Sequence, residues 1–394
     1  MRIAFTLINS SKWTGGYNYL LNLFHSIDKF QRDKVTPVLF CGEDATEEDL
    51  QPFYAIDGFE IIRSPTFNVE NKFGRFIRSL LLGRDTAALR LFRNYQIDVL
   101  FENANFYGWR FPISVIAWMP DFQHRHLREQ FNFKDYWRRE IGFQVQVASG
   151  RTVMLSSEDA KKDCELFYPS SINNTKVVRF SAPIPKRLLE SHPENVLQKY
   201  QLPSKFFYLP NQFWKHKNHL VVIEAIGLLK RQGCEIVVAA SGNQKDPRHP
   251  EYVSHLKERI ETLGLHDNFR MLGLIPRQDV ISLMRMSRAI INPSYFEGWS
   301  STVEEARTLG APMLLSDINV HKEQMGDEAI YFSPDDTVGL ADILKENMLK
   351  KTSSIDINKY IVMSNVNTER FACDFVELAE HVFRKKSSIM MDIL

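Results

Sequence analysis

Ala289-Ile290-Ile291-Asn292-Pro293-Ser294-Tyr295-Phe296-Glu297-Gly298-Trp299-Ser300-Ser301-Thr302-Val303-Glu304-Glu305-Ala306 is the stretch on which the reading of this chain turns. Its apolar start, stopped by Asn292-Pro293-Ser294, reads as a buried strand ended by turn residues. A loop then becomes a helix, and Gly310 and Pro312 end that helix before a second apolar run, Met313-Leu314-Leu315. Strand, helix and strand in this order make a right-handed βαβ unit, which places ligands at the carboxyl ends of its strands. Glu297 in the loop and Glu305 in the helix, eight positions apart, are therefore expected at a binding crevice. Helix capping competes for the second of them, because Ser301-x-x-Glu304 and Thr302-x-x-Glu305 both fit the capping box. With Ser301 as the cap, Glu304 bonds back and Glu305 is left for a ligand; with Thr302 as the cap, Glu305 is consumed. Glu297 lies outside both registers.

Outward from this unit, apolar strands alternate with helical patterns along the whole chain, the mark of a mainly parallel α/β protein. The first half carries strand patterns near 3–8, 36–41, 60–63, 98–101, 114–118, 152–155 and 176–179. The second half carries them near 206–209, 235–240, 268–271, 289–291, 313–315 and 329–331. Each set is enough for its own doubly wound sheet, and 394 residues suit two domains. Ser181-Ala182-Pro183-Ile184-Pro185 and the polar stretch through Pro203 read as the connection, with the boundary near Pro185. The expected domains are 1–185 and 186–367, followed by a helix over about 368–386 with Phe371, Phe375, Leu378 and Phe383 at helical spacing.

Charge and cysteine content exclude several classes. Lysine and arginine total 49 against 48 aspartates and glutamates, so no global basic field exists to recruit nucleic acid. The four cysteines are scattered without paired spacing, which argues against a zinc site or a disulfide framework and suits a reducing compartment. The run Met1-Arg2-Ile3-Ala4-Phe5-Thr6-Leu7-Ile8-Asn9 reads as a first strand rather than a signal peptide, and no stretch approaches the roughly 18 apolar residues of a membrane span. The expected location is cytoplasmic, compatible with peripheral contact at the inner face of a membrane.

Asn292 to Gly298, Glu305-Ala306-Arg307-Thr308-Leu309-Gly310-Ala311-Pro312, and Ser316-Asp317-Ile318 with Glu323 together resemble the donor-site segment of retaining GT-B glycosyltransferases, in particular the large family 4 (glycosyl transferases group 1). Many members carry Gly-Leu-Pro where this chain has Ser300-Ser301-Thr302. The resemblance implies two Rossmann-like domains facing across a cleft, an N-terminal one for the acceptor and a C-terminal one for a nucleotide diphosphate sugar, with the last helix crossing back onto the first domain. It also implies that Glu297 and the amides of Gly298, Trp299, Ser300 and Ser301 hold the sugar, and that Glu305 holds the ribose.

A second segment, Tyr208-Leu209-Pro210-Asn211-Gln212-Phe213-Trp214-Lys215-His216-Lys217-Asn218-His219, follows another strand. Asn218 is placed to cap the next helix, which puts Lys217 at a helix N-terminus, a setting that favours an anion such as a diphosphate. The segment is similar to the family's Gly-Arg-x-x-x-x-Lys motif: Lys217 matches the lysine, while Gln212 stands at the arginine position and Lys215, two residues before Lys217, could compensate for it. The alternative reading makes Lys215 and Lys217 solvated loop residues. Gly15 and Gly16, in the loop Ser11-Lys12-Trp13-Thr14-Gly15-Gly16-Tyr17, would let backbone approach a ligand, or serve only the turn into a helix. By resemblance they lie against the donor phosphate and the acceptor. The stretch Trp118-Met119-Pro120-Asp121-Phe122-Gln123-His124 sits where related enzymes have a histidine-aspartate pair. Pro120 takes the usual histidine place, leaving His124 or His126 to join Asp121 in orienting hydroxyls or assisting proton removal, against a bland reading as surface-loop residues.

No Asp-x-Asp occurs, so no metal ligand set is expected and no cofactor beyond the sugar nucleotide; the diphosphate would rest on Lys217, helix N-termini and amides. From Lys72 to Arg93 six basic residues face one acid, with Phe73, Phe76, Ile77, Leu80 and Leu81 at helical spacing. This is either a basic amphipathic helix for an anionic leaflet or an ordinary helix with its basic face in water. The expected activity is transfer of a hexose-type sugar from a nucleotide diphosphate to a hydroxyl of a glycan or lipid-linked glycan, with retention. Its rivals are a nucleotide-sugar epimerase or phosphorylase on the same architecture, and an inactive nucleotide-sugar binding protein.

Overall fold

Each apolar run read as a strand pairs in a parallel sheet. The computed structural model describes residues 1–103, 105–189, 194–350 and 357–391. The chain divides into two compact units, Met1–Phe122 with Phe133–Ser181 and Asn365–Leu394, and Gln123–Asn132 with Ala182–Ser364.

The first unit holds β1 (Arg2–Thr6), β2 (Thr36–Cys41), β3 (Glu60–Arg63), β4 (Val99–Asn103), β5 (Ser114–Trp118), β6 (Thr152–Leu155) and β7 (Thr175–Val177) in the order β3-β2-β1-β4-β5-β6-β7. The central strands are buried on both faces, β4 and β5 at every position, which is why they read as unbroken apolar runs. Its core joins Phe5, Phe24 and Phe101 to Phe371, Phe375 and Leu378 of the terminal helix Ile357–Met391, while Phe383 of that helix is exposed.

The second unit holds β8 (Phe207–Leu209), β9 (Val238–Ser241), β10 (Phe269–Gly273), β11 (Ile290–Asn292), β12 (Met313–Ser316) and β13 (Ile330–Phe332) in the order β10-β9-β8-β11-β12-β13. Chain order runs outward to one side from β8 to β10, then restarts at β11 and runs to the other. The gap between the carboxyl ends of β8 and β11 is therefore a topological switch point, where open α/β sheets place ligands. The strands are parallel, with Ile290 beside Tyr208 on one edge of β11 and beside Met313 on the other. Between β11 and β12 the helix Ser301–Leu309 buries Val303, Ala306 and Leu309 and ends at Gly310, whose φ of 65° is left-handed.

The basic stretch 72–93 is two helices, Asn71–Leu82 and Thr86–Asn94, separated by left-handed Gly83 and by Asp85, which caps the second. Arg75 is not on a solvated face: it is buried, 2.6 Å from Asp85. The apolar side of the first helix is instead turned outward, with Phe73 and Leu81 exposed at 74% and 78%. No helix among the described residues is long and apolar enough to cross a membrane.

Candidate functional site

The loops that follow β8 and β11 meet at the switch point of the second unit. Pro293 stops β11, and the backbone N–H of Tyr295 donates to the carbonyl of His216 at 2.8 Å, tying one loop to the other. Asn211 Nδ2 donates to Asn292 Oδ1 at 3.1 Å, and Thr302 Oγ1 donates to Asn211 Oδ1 at 3.0 Å. In this frame Lys217 Nζ lies 2.5 Å from Glu297 Oε1, with the two side chains only 13% and 9% exposed. Two residues 80 positions apart in sequence, one cationic and one acidic, thus form an ion pair at the strand ends.

The helix that carries Glu305 begins in a different register from either capping box. Ser300, not Ser301 or Thr302, is the cap, its Oγ accepting from Val303 N. Tertiary contacts set that register. Gln324 Oε1 accepts from Ser300 N and its Nε2 donates to Ser300 O, both at 3.1 Å, while Asn292 Nδ2 donates to Ser300 Oγ at 2.9 Å. Glu304 does not bond back to the cap. It is fully buried, 2.7 Å from Arg307 Nη2, and accepts from Gln324; burial pushes its carboxyl above the usual range against the pull of Arg307. Glu305 points elsewhere, 17% exposed and 3.0 Å from Arg277 Nη2, so neither capping nor burial consumes it. Gly298 and Trp299 form the turn between Glu297 and the cap, and Ser301 is exposed at the first helical position. The amide of Ser300 is committed to Gln324 and is not open to a sugar.

Gln212 takes no part in a cationic cradle: its Oε1 accepts from Asn243 N at 2.7 Å, bracing the loop after β9. At the neighbouring Gly242, φ is 153° and a Cβ would come within 2.3 Å of Asn211 O, so only glycine allows the two loops this close. Lys215 is exposed, with its backbone N–H on Asp246. Asn218 occupies the cap position of the helix His219–Arg231 but does not cap it; left-handed at φ 52°, it donates through Nδ2 to Pro334 O. His219, the first residue of that helix, is fully buried against Phe213, and burial lowers its pKa to about 3.

Among the residues of this site that escaped the sequence reading as contributors are Ser294, Ser316, His321 and Arg277, besides Gln324. Ser294 Oγ is 2.7 Å from Glu297 Oε1, Ser316 Oγ donates to Ser294 O at 2.6 Å, and the buried His321 sets Nδ1 2.9 Å from Ser316 O. Ser294 and Ser316 stood inside the quoted segments; nothing in a lone histidine or arginine marks the other two.

In the first unit, Gly15 and Gly16 lie not in a loop but in the first turn of the helix Thr14–Phe30. A Cβ at Gly16 would meet the Trp13 ring at 2.4 Å, so this glycine makes room for an indole that stacks on Trp118 at 5.1 Å; Gly15 is exposed. Asp121 pairs with Arg139 at 2.9 Å. His124 is fully buried and belongs to the segment Gln123–Asn132, which packs with the second unit. There His126 stacks on Phe296 at 5.1 Å, next to Glu297, and Arg248 donates to Gln123 and lies over Phe131.

Residues 195–360 match the family model described as glycosyl transferases group 1. The chain is 29% identical over 204 residues to the O-antigen chain mannosyltransferase B of Escherichia coli, covering 50% of this chain and 51% of that protein. It is 23% identical over 232 residues to the serotype-specific mannosyltransferase WbdA of Escherichia coli, covering 58% of this chain and 26% of that protein. The chain thus spans about half the length of the first relative and less of the second. A glycosyltransferase from Rickettsia africae ESF-5 superposes with a TM-score of 0.64 at 16% identity, covering 100% of this chain and 97% of that one. HepE from Anabaena, in complex with UDP, gives 0.61 at 14% identity, covering 100% of each chain. At these identities the likeness speaks for the fold, which is GT-B.

Proposed function

Since residues 195–360 of this chain match the glycosyl transferases group 1 family model, we propose that the protein moves a hexose-type sugar from a nucleotide diphosphate sugar to a hydroxyl of a glycan or lipid-linked glycan. The observation that carries the reading is the Lys217–Glu297 pair at the switch point, with Glu305 on the 301–309 helix that follows the same loop. Lys217 is the diphosphate ligand, Glu297 takes the sugar hydroxyls, and Glu305 exchanges Arg277 for the ribose hydroxyls. The two Escherichia coli relatives are named mannosyltransferases, which favours a mannose-type donor.

In the proposed reaction the acceptor oxygen forms a bond to the anomeric carbon as its bond to the diphosphate breaks. The acceptor enters on the face that the diphosphate leaves, and the hydroxyl proton passes to the departing phosphate oxygen. Configuration is retained without an enzyme nucleophile. Charge on the leaving group falls on Lys217 and helix amides rather than on a divalent cation, so turnover is expected to persist in EDTA. Gly15, Gly16, Asp121 and His124 are the acceptor-side candidates. Peripheral membrane contact belongs to the same reading and is supported by the outward apolar face of the Asn71–Leu82 helix.

A thermal-shift panel of UDP-, GDP-, ADP- and dTDP-sugars tests the donor. One of them is expected to raise the melting temperature by mass action, with Glu305→Ala weakening the response. No response to any sugar nucleotide would remove the proposed site. Epimer formation without an acceptor would replace transfer by isomerisation, and tight binding with no turnover on any acceptor would leave a binding protein.

A further inference from the structure

We infer that His321 is a positioning residue for Glu297, and through Glu297 for the sugar half of the donor; this rests on the sugar-nucleotide reading of the site. The imidazole is fully buried in the helix Asn319–Met325 that follows β12. Its Nδ1 lies 2.9 Å from Ser316 O and 3.2 Å from Ser316 Oγ. A carbonyl oxygen only accepts, so Nδ1 carries the proton and Nε2 keeps a lone pair. Sharing that proton with Ser316 Oγ leaves the hydroxyl to donate onward, 2.6 Å to the carbonyl of Ser294. The Ser294 hydroxyl has two acceptors at 2.7 Å, Asn292 Oδ1 and Glu297 Oε1. Asn292 Oδ1 already accepts from Asn211, and the carboxylate is charged, so the single Ser294 proton is best used on Glu297.

His321 and Ser316 thus fix the backbone carbonyl of Ser294, and the hydroxyl of that same residue reaches one carboxylate oxygen of Glu297. The Ser294 and Lys217 contacts both fall on Oε1, which leaves Oε2 for a ligand hydroxyl. When a diphosphate draws Lys217 away from Glu297, the Ser294 branch is what still holds the carboxylate in place. The imidazole also has to be neutral. Burial keeps it so, against the field of Glu297, and Nε2 has no partner among the described residues. A protonated ring there would add a second cation beside the carboxylate meant for the sugar.

Calorimetry on the full chain with UDP, GDP, UDP-glucose and GDP-mannose separates this role from a merely structural one. For whichever sugar nucleotide binds, His321→Leu is expected to lower its affinity about tenfold, within the worth of one hydrogen bond, while the parent nucleoside diphosphate stays within about twofold. His321→Asn, which restores a donor near the Nδ1 position, should recover most of the loss. Equal losses for sugar nucleotide and diphosphate, or no loss for the sugar nucleotide, overturn the role. A wild type that binds none of the four overturns the site reading and this role with it. Should the leucine variant not fold, nitrogen-15 NMR of the wild type decides: the Nδ1–H tautomer is expected, and an Nε2–H ring overturns the inference.

Discussion

Lys217 shows what a single residue owes to its neighbours. Its position after a strand and before a helix was legible, because such places favour anions whatever the rest of the chain does. Its partner was not, since nothing local announces contact with Glu297 across 80 positions. The pair is poorly exposed, so Lys217→Ala leaves a carboxylate without its cation and should cost about 2 kcal/mol in urea unfolding. Combining Lys217→Met with Glu297→Leu should regain most of that loss while abolishing donor binding; additive losses would contradict the coupling. His219 makes a separate prediction. Its pKa falls from about 6.5 unfolded to about 3 folded, so its contribution is complete above the unfolded value and is lost as pH drops toward the folded one. Between pH 7 and pH 5 the protein should lose about 2 kcal/mol from this group alone, and His219→Phe should flatten that slope in unfolding curves at the two pH values.

At the scale of elements, strands were easier to read than helix ends. Parallel strands such as β4 and β5 are buried on both faces, so their sequence is apolar throughout and their limits fall at turn residues. A helix start among Ser300, Ser301 and Thr302 offers three residues of equal capping chemistry, and Gln324 with Asn292 selects the first. The Asn71–Leu82 helix shows the same limit. Its spacing was visible, but not that Arg75 turns inward to Asp85 while Phe73, Ile77 and Leu81 face out. The helix Phe133–Ala148 carries a similar outward stripe of Phe133, Trp137 and Ile141, and Lys72 of the first helix feels the charges of Lys12 and of Arg138 on the second. Apolar stripes rimmed by cations fit an anionic bilayer surface. Co-sedimentation with phosphatidylglycerol vesicles at low salt is expected for the wild type and reduced several-fold in Phe73→Ser/Leu81→Ser and in Phe133→Ser/Trp137→Ser. Absence of wild-type binding would sink the membrane contact.

At the scale of the whole molecule, the chain builds its first unit from both of its ends. Phe371, Phe375 and Leu378 of the terminal helix lie in one core with Phe5 and Phe101 from the first half of the chain, with Phe375 5.8 Å from each of those two rings. Phe375→Ala should therefore destabilise the unit that begins at Met1 by about 4 kcal/mol, read as a lower urea midpoint for near-ultraviolet signals; an unchanged midpoint would mean the helix is dispensable. The segment Gln123–Asn132, which packs with the second unit, was not legible, because only folding places His126 on Phe296 and Arg248 on Phe131. The sequence by itself determined the alternation of buried strands and helices and the positions of Glu297, Glu305 and Lys217 after strand ends, because burial period and strand-end turns are local properties, while the GT-B class was legible through the resemblance of the Asn292–Gly298 and Glu305–Pro312 segments to a known family. Tertiary structure decided what each polar side chain near the site is used for: Glu304 buried on Arg307, Gln212 turned to Asn243, and Glu297 held by Lys217 and by the Ser294 hydroxyl, whose backbone carbonyl is fixed by Ser316 and His321. Partners distant in sequence set those choices, and a hydrogen bond leaves no trace in either residue alone.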